Sequence, residues 1–389
     1  MDNLAAGTAA PPTGDVTARL QALARTTPGT APIVSVYLDT RWSDEHQRER
    51  VRIFLKNEIR KAAAMSVGQL AEDLAWIAAE GERLVGHEVH PEIAGVAMFA
   101  GGPGGLREVL PVAVPFSDSF TVASTPRLRP LATALGDAPR AAVLFVDSES
   151  ARLVAVTEQG PGEEVTLQAA DALGQHRRGG WLLLLQSRYQ RHIHAHRARH
   201  FEAVAAALTD LVDHHGLRVI ILAGEPRNLA VFRAHVPPRL SGRIAGEVAA
   251  ARYEPSSVLA ERALAVIRHR GAGDLAAALD TVLVDAEGGG RAAAGADATV
   301  DAVNRGAVDR LYLLRSYEEE GRVCPACQAL QRDASGVCRR CGAATGLMEL
   351  GEGMVQRVLA AAGDVASVEA HAGLERAGGV AALLRYPVR

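Results

Sequence analysis

Eight short apolar runs do most to fix what this 389-residue chain can become. Ile33–Leu38, Gly95–Ala100, Leu110–Val114, Ala141–Val146, Arg152–Val156, Val219–Ala223, Asp309–Leu314 and Ala381–Tyr386 are five or six residues each. Such runs are too short for helices and read as strands, several of them buried on both faces. Between them lie segments of helical length. Asp44–Ala64 carries Val51, Phe54, Leu55 and Ile59 at helical spacing, and helices are also expected over Asp15–Arg25, Gly68–Val85, Ser187–His214, Leu229–Ala234, Ser256–His269, Asp297–Arg305 and Gly351–Ala362. Strands alternating with helices predict a mixed α/β architecture.

At roughly 150 residues per domain the length allows two or three units, and the pattern divides best into three. Residues 1–14, rich in Gly, Pro, Ala and Thr, are expected to be a disordered tail. Residues 15–137 read as an N-terminal α/β domain, 138–250 as a middle domain and 251–389 as a C-terminal one. Glu287–Gly295 is expected to be a flexible insert, and no internal repeat is visible.

Hydrophobic residues at 48% and charged residues at 22% exclude a disordered chain, and 4% aromatics mean that Val, Leu, Ile and Ala must build the cores. A net charge of −3 excludes a uniformly basic protein but says nothing about patches. Only Lys56 and Lys61 are lysines, so arginine supplies the other forty basic residues, a skew that a GC-rich coding sequence explains most simply. No apolar run approaches a membrane span, and the start lacks a basic region followed by an apolar one, so the chain reads as cytoplasmic, without a membrane partner, and as a monomer.

Two segments carry chemistry. Cys324-Pro-Ala-Cys327 and Cys338-Arg-Arg-Cys341 are paired C-x-x-C knuckles holding all four cysteines. Two such turns complete a tetrahedral shell of four thiolates, the preferred structural site for Zn²⁺. With every ligand position filled by protein, no place is left for a reactive water.

The second segment, His176–His200, holds six arginines, five histidines and no acid. On a helix Arg188, Arg191, His192, Ala195 and Arg199 share one face, while Tyr189, Ile193, Phe201, Val204 and Leu208 form a core-facing stripe. With Arg177 and Arg178 in the preceding loop, this suits a nucleic-acid phosphate backbone. His192, His196 and His200 also share a face, but the surrounding arginines argue against a metal there.

In their order these features resemble the archaeal and eukaryotic class-one peptide chain release factors and Pelota. A strand pair, a basic loop with Gly179 and Gly180, a long basic helix and Val219-Ile-Ile-Leu-Ala-Gly-Glu-Pro226 resemble the middle domain of that superfamily. Asp301-Ala-Val-Asn-Arg-Gly-Ala-Val-Asp-Arg-Leu-Tyr-Leu313 resembles its C-terminal domain, of the kink-turn-RNA-binding ribosomal protein type, with the knuckles where archaeal release factors carry theirs. Gly378–Tyr386 is similar to the closing strand, and Ser35–Asp39 with Gly95–Gly102 matches the N-terminal domain more loosely. The resemblance points to a bacterial branch that includes Balon-type ribosome hibernation factors. It implies three domains in release-factor-like arrangement, with the zinc ribbon inserted in the last.

Two departures shape the functional expectation. The family's hydrolytic tip is Gly-Gly-Gln, whereas here Gly179-Gly180 is followed by Trp181 and Leu182–Leu185. A glutamine amide both donates to and accepts from water, while indole offers one donor. Gln186, the next glutamine, is the weak catalytic candidate. The family's Asn-Ile-Lys-Ser codon-reading motif is also absent from the first unit. The resemblance therefore implies a ribosome-binding factor that occupies the A site in place of tRNA, for hibernation or rescue, without stop-codon reading. It would contact rRNA, tRNA and a translational GTPase. Leu182–Leu185 is either a buried helix start or an apolar tip with Trp181 stacked on a base. The alternatives are a peptidyl-tRNA hydrolase or other tRNA-acting enzyme with Gln186 or a histidine of the 192–200 run assisting water, and a zinc-ribbon RNA-binding protein unconnected with ribosomes.

Overall fold

The computed structural model describes residues 16–26, 31–42, 45–64, 69–86, 93–102, 104–137, 140–157, 160–169 and 182–388. The chain begins with α1 (Val16–Ala24), β1 (Ile33–Asp39), α2 (Glu45–Ala64), α3 (Gln69–Gly86), β2 (Gly95–Gly101), β3 (Leu106–Val112), β4 (Ser119–Ala123) and α4 (Arg129–Asp137). The strands form an antiparallel sheet in the order β3-β2-β1-β4. Because side chains alternate between faces, β1 and β2 serve two cores. Val34, Val36, Leu38, Val96, Met98 and Ala100 pack under Val51, Leu55, Leu74 and Ile77 of α2 and α3. Tyr37, Ala97 and Phe99 point the other way.

The next stretch contains β5 (Ala141–Val146), β6 (Ser150–Thr157), β7 (Gly160–Gln168), α5 (Leu182–His215), β8 (Val219–Ala223), α6 (Pro226–Arg233), α7 (Pro238–Ser241) and β9 (Ile244–Val248). The sheet order is β7-β6-β5-β8-β9, antiparallel from β7 to β5 and parallel from β5 to β9. One face holds Ala142, Leu144, Leu153, Ile220 and Leu222 against Phe201, Val204, Leu208 and Val212 of α5. The opposite face holds Val143, Phe145, Val154 and Ile221 against Leu259, Ala260 and Ala263.

Those last three belong to α8 (Ser256–Glu287), which runs 18 residues past the expected end at His269. Its far half delivers Leu279 and Val282 to a different core. The segment expected to be a flexible insert is ordered instead. After α8 closes at Gly288, β10 (Ala292–Ala294) pairs with the last strand, its backbone satisfied by Ala381–Leu383. Then come α9 (Ala296–Asn304), β11 (Val308–Leu314), β12 (Glu320–Val323), β13 (Leu330–Gln331), β14 (Gly346–Glu349), α10 (Leu350–Ala360), β15 (Asp364–Val368), α11 (Ala372–Arg376) and β16 (Val380–Leu384). The sheet β10-β16-β11-β15 is antiparallel except for the β11–β15 pair. The small sheet β13-β12-β14 carries the cysteine knuckles.

One continuous core joins the two ends of the chain. Val16, Leu20, Tyr37, Phe99 and Leu131 lie in the same cluster as Leu311, Leu350, Met354, Val355 and Ala382. Polar contacts run along the seam. The Arg129 guanidinium donates to the carbonyls of Tyr317 (2.7 Å), Leu314 (3.1 Å) and Arg315 (3.0 Å) and pairs with Glu349 (3.2 Å). The buried Glu352 carboxylate accepts the N–H groups of Leu128 and Arg129, the start of α4, while Glu349 caps α10 through Gly351 and Glu352. Each helix start thus receives an acid, as its exposed N–H groups favour.

Candidate functional site

The four cysteines are the one group of three or more potential metal-ligating residues among the described residues. They sit on two turns built alike. In the first, the Gln328 N–H donates to Cys324 O (2.8 Å) and the Cys324 N–H to Ala329 O (2.9 Å). In the second, the Gly342 N–H donates to Cys338 O (2.9 Å) and the Cys338 N–H to Ala343 O (2.8 Å). The residue after the second cysteine is left-handed in both, Gln328 at φ 58° and Gly342 at φ 77°. Repeating the same turn twice throws four sulfurs into one space.

Cys324 Sγ lies 3.4 Å from Cys341 Sγ, Cys327 Sγ lies 3.6 Å from Cys338 Sγ, and all four sit within 4.8 Å of one another. A disulfide needs about 2.05 Å between sulfurs. A tetrahedral Zn²⁺ at about 2.3 Å from each sulfur sets them roughly 3.8 Å apart, close to what is seen. The donor chemistry therefore fits the metal. Cys324 and Cys338 are buried; the Cys327 N–H turned toward the Cys324 thiol lowers its pKa, while the neighbouring thiols raise that of Cys341.

The knuckles are tied to the body of the fold at two points. Asn304 of α9 holds Leu330 by both its N–H and its carbonyl, each at 2.8 Å. Arg357 of α10 donates to Gln328 O at 3.1 Å, and burial pulls its guanidinium below the ordinary value.

The basic segment is described only in part. Arg177, Arg178, Gly179, Gly180 and Trp181 lie outside the described residues. Gln186, Arg188, Arg191 and His192 lie on the backbone of α5, which begins at Leu182, and their side chains are also outside the described set. The expected core stripe is present where it can be seen: Phe201, Val204 and Leu208 are fully buried. Arg199 is exposed and returns one N–H to Ala195 O at 3.3 Å. Arg197 stacks 5.1 Å from the Phe201 ring and donates to Asn228 Oδ1 at 3.0 Å. His200 is only 5% exposed, and burial lowers its pKa, so this histidine belongs to the packed side of the helix. The face expected for His192, His196 and His200 therefore ends in the core rather than at a surface.

Sequence reasoning missed β7, because Gly160-Pro-Gly-Glu-Glu does not read as a strand; only its pairing to Ser150–Thr157 makes it one.

Residues 126–268, just over a third of the chain, match the family model described as bacterial archaeo-eukaryotic release factor family 10. The resemblance to the release factors is borne out by this match over those residues. No curated protein matches the sequence. Among solved structures, the archaeal translation termination factor aRF1 is 17% identical, covering 95% of this chain and 97% of that one at a TM-score of 0.25. Archaeoglobus fulgidus Pelota is 18% identical, covering 76% and 80% at a TM-score of 0.35. S. cerevisiae Dom34, a translation termination-like factor, is 12% identical, covering 73% and 74% at a TM-score of 0.39. No helix among the described residues is long and apolar enough to cross a membrane.

Proposed function

We propose that this chain is a ribosome-associated translation factor of the release-factor and Pelota type, entering the A site in place of tRNA for hibernation or rescue. The observation that carries the reading is the release-factor family match over 126–268, the stretch that contains the acid-free basic segment. That segment leads into α5, where Arg188, Arg191, His192 and Arg199 would lie along rRNA, with Arg177 and Arg178 contributing from the loop. The Gly179-Gly180-Trp181 tip lacks the glutamine that would orient an attacking water, so the factor would bind without hydrolysing peptidyl-tRNA, and without an Asn-Ile-Lys-Ser motif in the first unit it would not read stop codons.

Cys324, Cys327, Cys338 and Cys341 would hold one structural Zn²⁺, which would cross-link the two knuckles and leave no open coordination position. The zinc-bearing end would face the ribosome or a GTPase partner. Co-sedimentation with purified ribosomes tests the central claim. Binding is expected at low salt and should weaken steeply as salt rises, in proportion to the phosphates contacted; no pelleting at any salt would overturn it. Incubation with ribosome-bound peptidyl-tRNA tests the non-catalytic part. Release above background that disappears in Gln186→Ala would make the chain an enzyme instead.

A further inference from the structure

All four cysteines of the chain lie in the knuckles, so any thiol chemistry of this protein is chemistry of that one site. Two sulfur contacts cross from one knuckle to the other, Cys324 to Cys341 at 3.4 Å and Cys327 to Cys338 at 3.6 Å. Exposure divides both pairs in the same way. Cys341 is exposed beside a fully buried Cys324, and Cys327 is half-buried beside a buried Cys338. A sulfur that solvent reaches, with a second sulfur held behind it, is the arrangement of a thiol sensor and its resolving partner.

The turns themselves favour the crossed pairs. The first cysteine of each takes an N–H of its own turn, Cys327 N–H on Cys324 and Arg340 N–H on Cys338 at 3.4 Å, which leaves the opposite knuckle as the direction of its sulfur contact. The knuckles are also anchored unequally. The first is held by α9 and α10 through Leu330 and Gln328. The second is held within the ribbon, where the Gln331 amide donates to Ser335 O and Val337 O, both at 3.2 Å, and accepts the Arg339 N–H at 3.3 Å. A link at the sulfurs is therefore what ties the outer knuckle to the anchored one.

We propose that the four cysteines form a redox-convertible joint, in which a peroxide turns the metal-holding thiolates into the disulfides Cys324–Cys341 and Cys327–Cys338, freeing the metal while the knuckles stay joined, a conversion that rests on Zn²⁺ being the metal held there. In each pair the outer thiolate attacks one oxygen of hydrogen peroxide; an S–O bond forms, the O–O bond breaks and hydroxide leaves. The buried thiolate then attacks that sulfur; the S–S bond forms, the S–O bond breaks and a second hydroxide leaves. Two sulfurs give up two electrons, and one peroxide becomes two hydroxides. Each pair closes by about 1.5 Å to reach a bond of about 2.05 Å. Once one pair has closed, two thiolates remain, too few for a structural tetrahedral shell. The two bonds enclose nested loops of 18 and 12 residues, whereas bonds inside the turns would leave the knuckles unlinked.

The test uses the full-length chain loaded with Zn²⁺. Hydrogen peroxide is titrated in beside a metallochromic dye, and the remaining thiols are counted with a chromogenic disulfide reagent. Release of about one Zn²⁺ per chain as the four thiols disappear is expected, reversed by dithiothreitol with added Zn²⁺. Peptide mapping without reductant should find Cys324 bonded to Cys341 and Cys327 to Cys338. Limited proteolysis should cut the oxidised ribbon at least about tenfold more slowly than the reduced, chelator-stripped one, because the nested cross-links replace the metal as the link between knuckles. Disulfides within the turns, or an oxidised ribbon cut as fast as the stripped one, would overturn the joint. So would oxidation to sulfinic acids without a disulfide. Bound metal that peroxide never releases would overturn the joint and leave the zinc site standing, whereas a chain that takes up no Zn²⁺ would overturn both.

Discussion

Glu352 is 8% exposed and faces two backbone N–H groups, yet burial still raises its carboxyl to about 7 from an ordinary 4.5. Glu349 on the same helix adds to the rise, while Arg127 opposes it. A raised folded-state pKa means the folded chain holds its proton longer than the unfolded one. The associated stability is complete below about pH 4.5 and declines as pH rises toward 7, by at most about 1.4 kcal/mol per pH unit. Glu352→Gln keeps an acceptor for the α4 N–H groups and removes the titration. Urea midpoints measured from pH 4 to 8 should therefore gain on the wild type as pH rises through this window. Parallel curves for the two proteins would show that Glu352 titrates normally. A second residue-scale expectation concerns Gly342. A Cβ there would meet nothing within 4 Å, so Gly342→Ala should cost only the left-handed backbone penalty, about 1 kcal/mol, read as a lower melting temperature.

At the scale of elements, α8 is packed at its two halves and bare between them. Residues 268–274 are exposed without interruption, between a first half packed on the middle sheet and a second half packed in the terminal core. Gly271 and Gly273 fall in this waist, and a Cβ at either meets nothing within 4 Å. Replacing both with alanine should stabilise the chain by up to about 2 kcal/mol, seen as a higher melting temperature and slower amide exchange over 268–274. The same glycines explain why the sequence pattern stops the helix at His269: local propensity ends there, and only the anchoring of both halves carries it on. Strands β5 and β8 were legible because each is a dense apolar run, and the knuckles because four ligands fit within 18 residues. Ala292–Ala294 was not, since three alanines have no strand preference of their own and pair only because β16 supplies an edge. The knuckle element yields a further prediction. Metal analysis should find about one Zn²⁺ per chain, and stripping it with a strong chelator should unfold residues 320–349 while the larger sheets persist, as limited proteolysis would show.

For the whole molecule, the cores do not follow the order of the chain. The two cores of the middle sheet draw only on residues between Ala142 and Ile267, whereas the largest core takes from both sides of that interval. Calorimetry should accordingly resolve two transitions, one for the middle sheet and one shared by the chain ends. Arg129→Ala removes four contacts across the seam and should lower only the shared transition, by roughly 2–4 kcal/mol; an equal drop in both would mean that the units melt as one. None of this was legible in the sequence, because the seam joins residues more than 180 positions apart and no local pattern records such pairs. The shared core also sets a schedule for the newborn chain. The face of the first sheet that carries Tyr37 and Phe99 is completed by Leu350, Met354 and Val355, made more than 200 residues later. At about 5–20 residues per second, the ribosome leaves that face open to water for some ten to fifty seconds. During that wait the middle sheet can already close on itself, so the second part of the chain to be synthesised is the first able to finish folding.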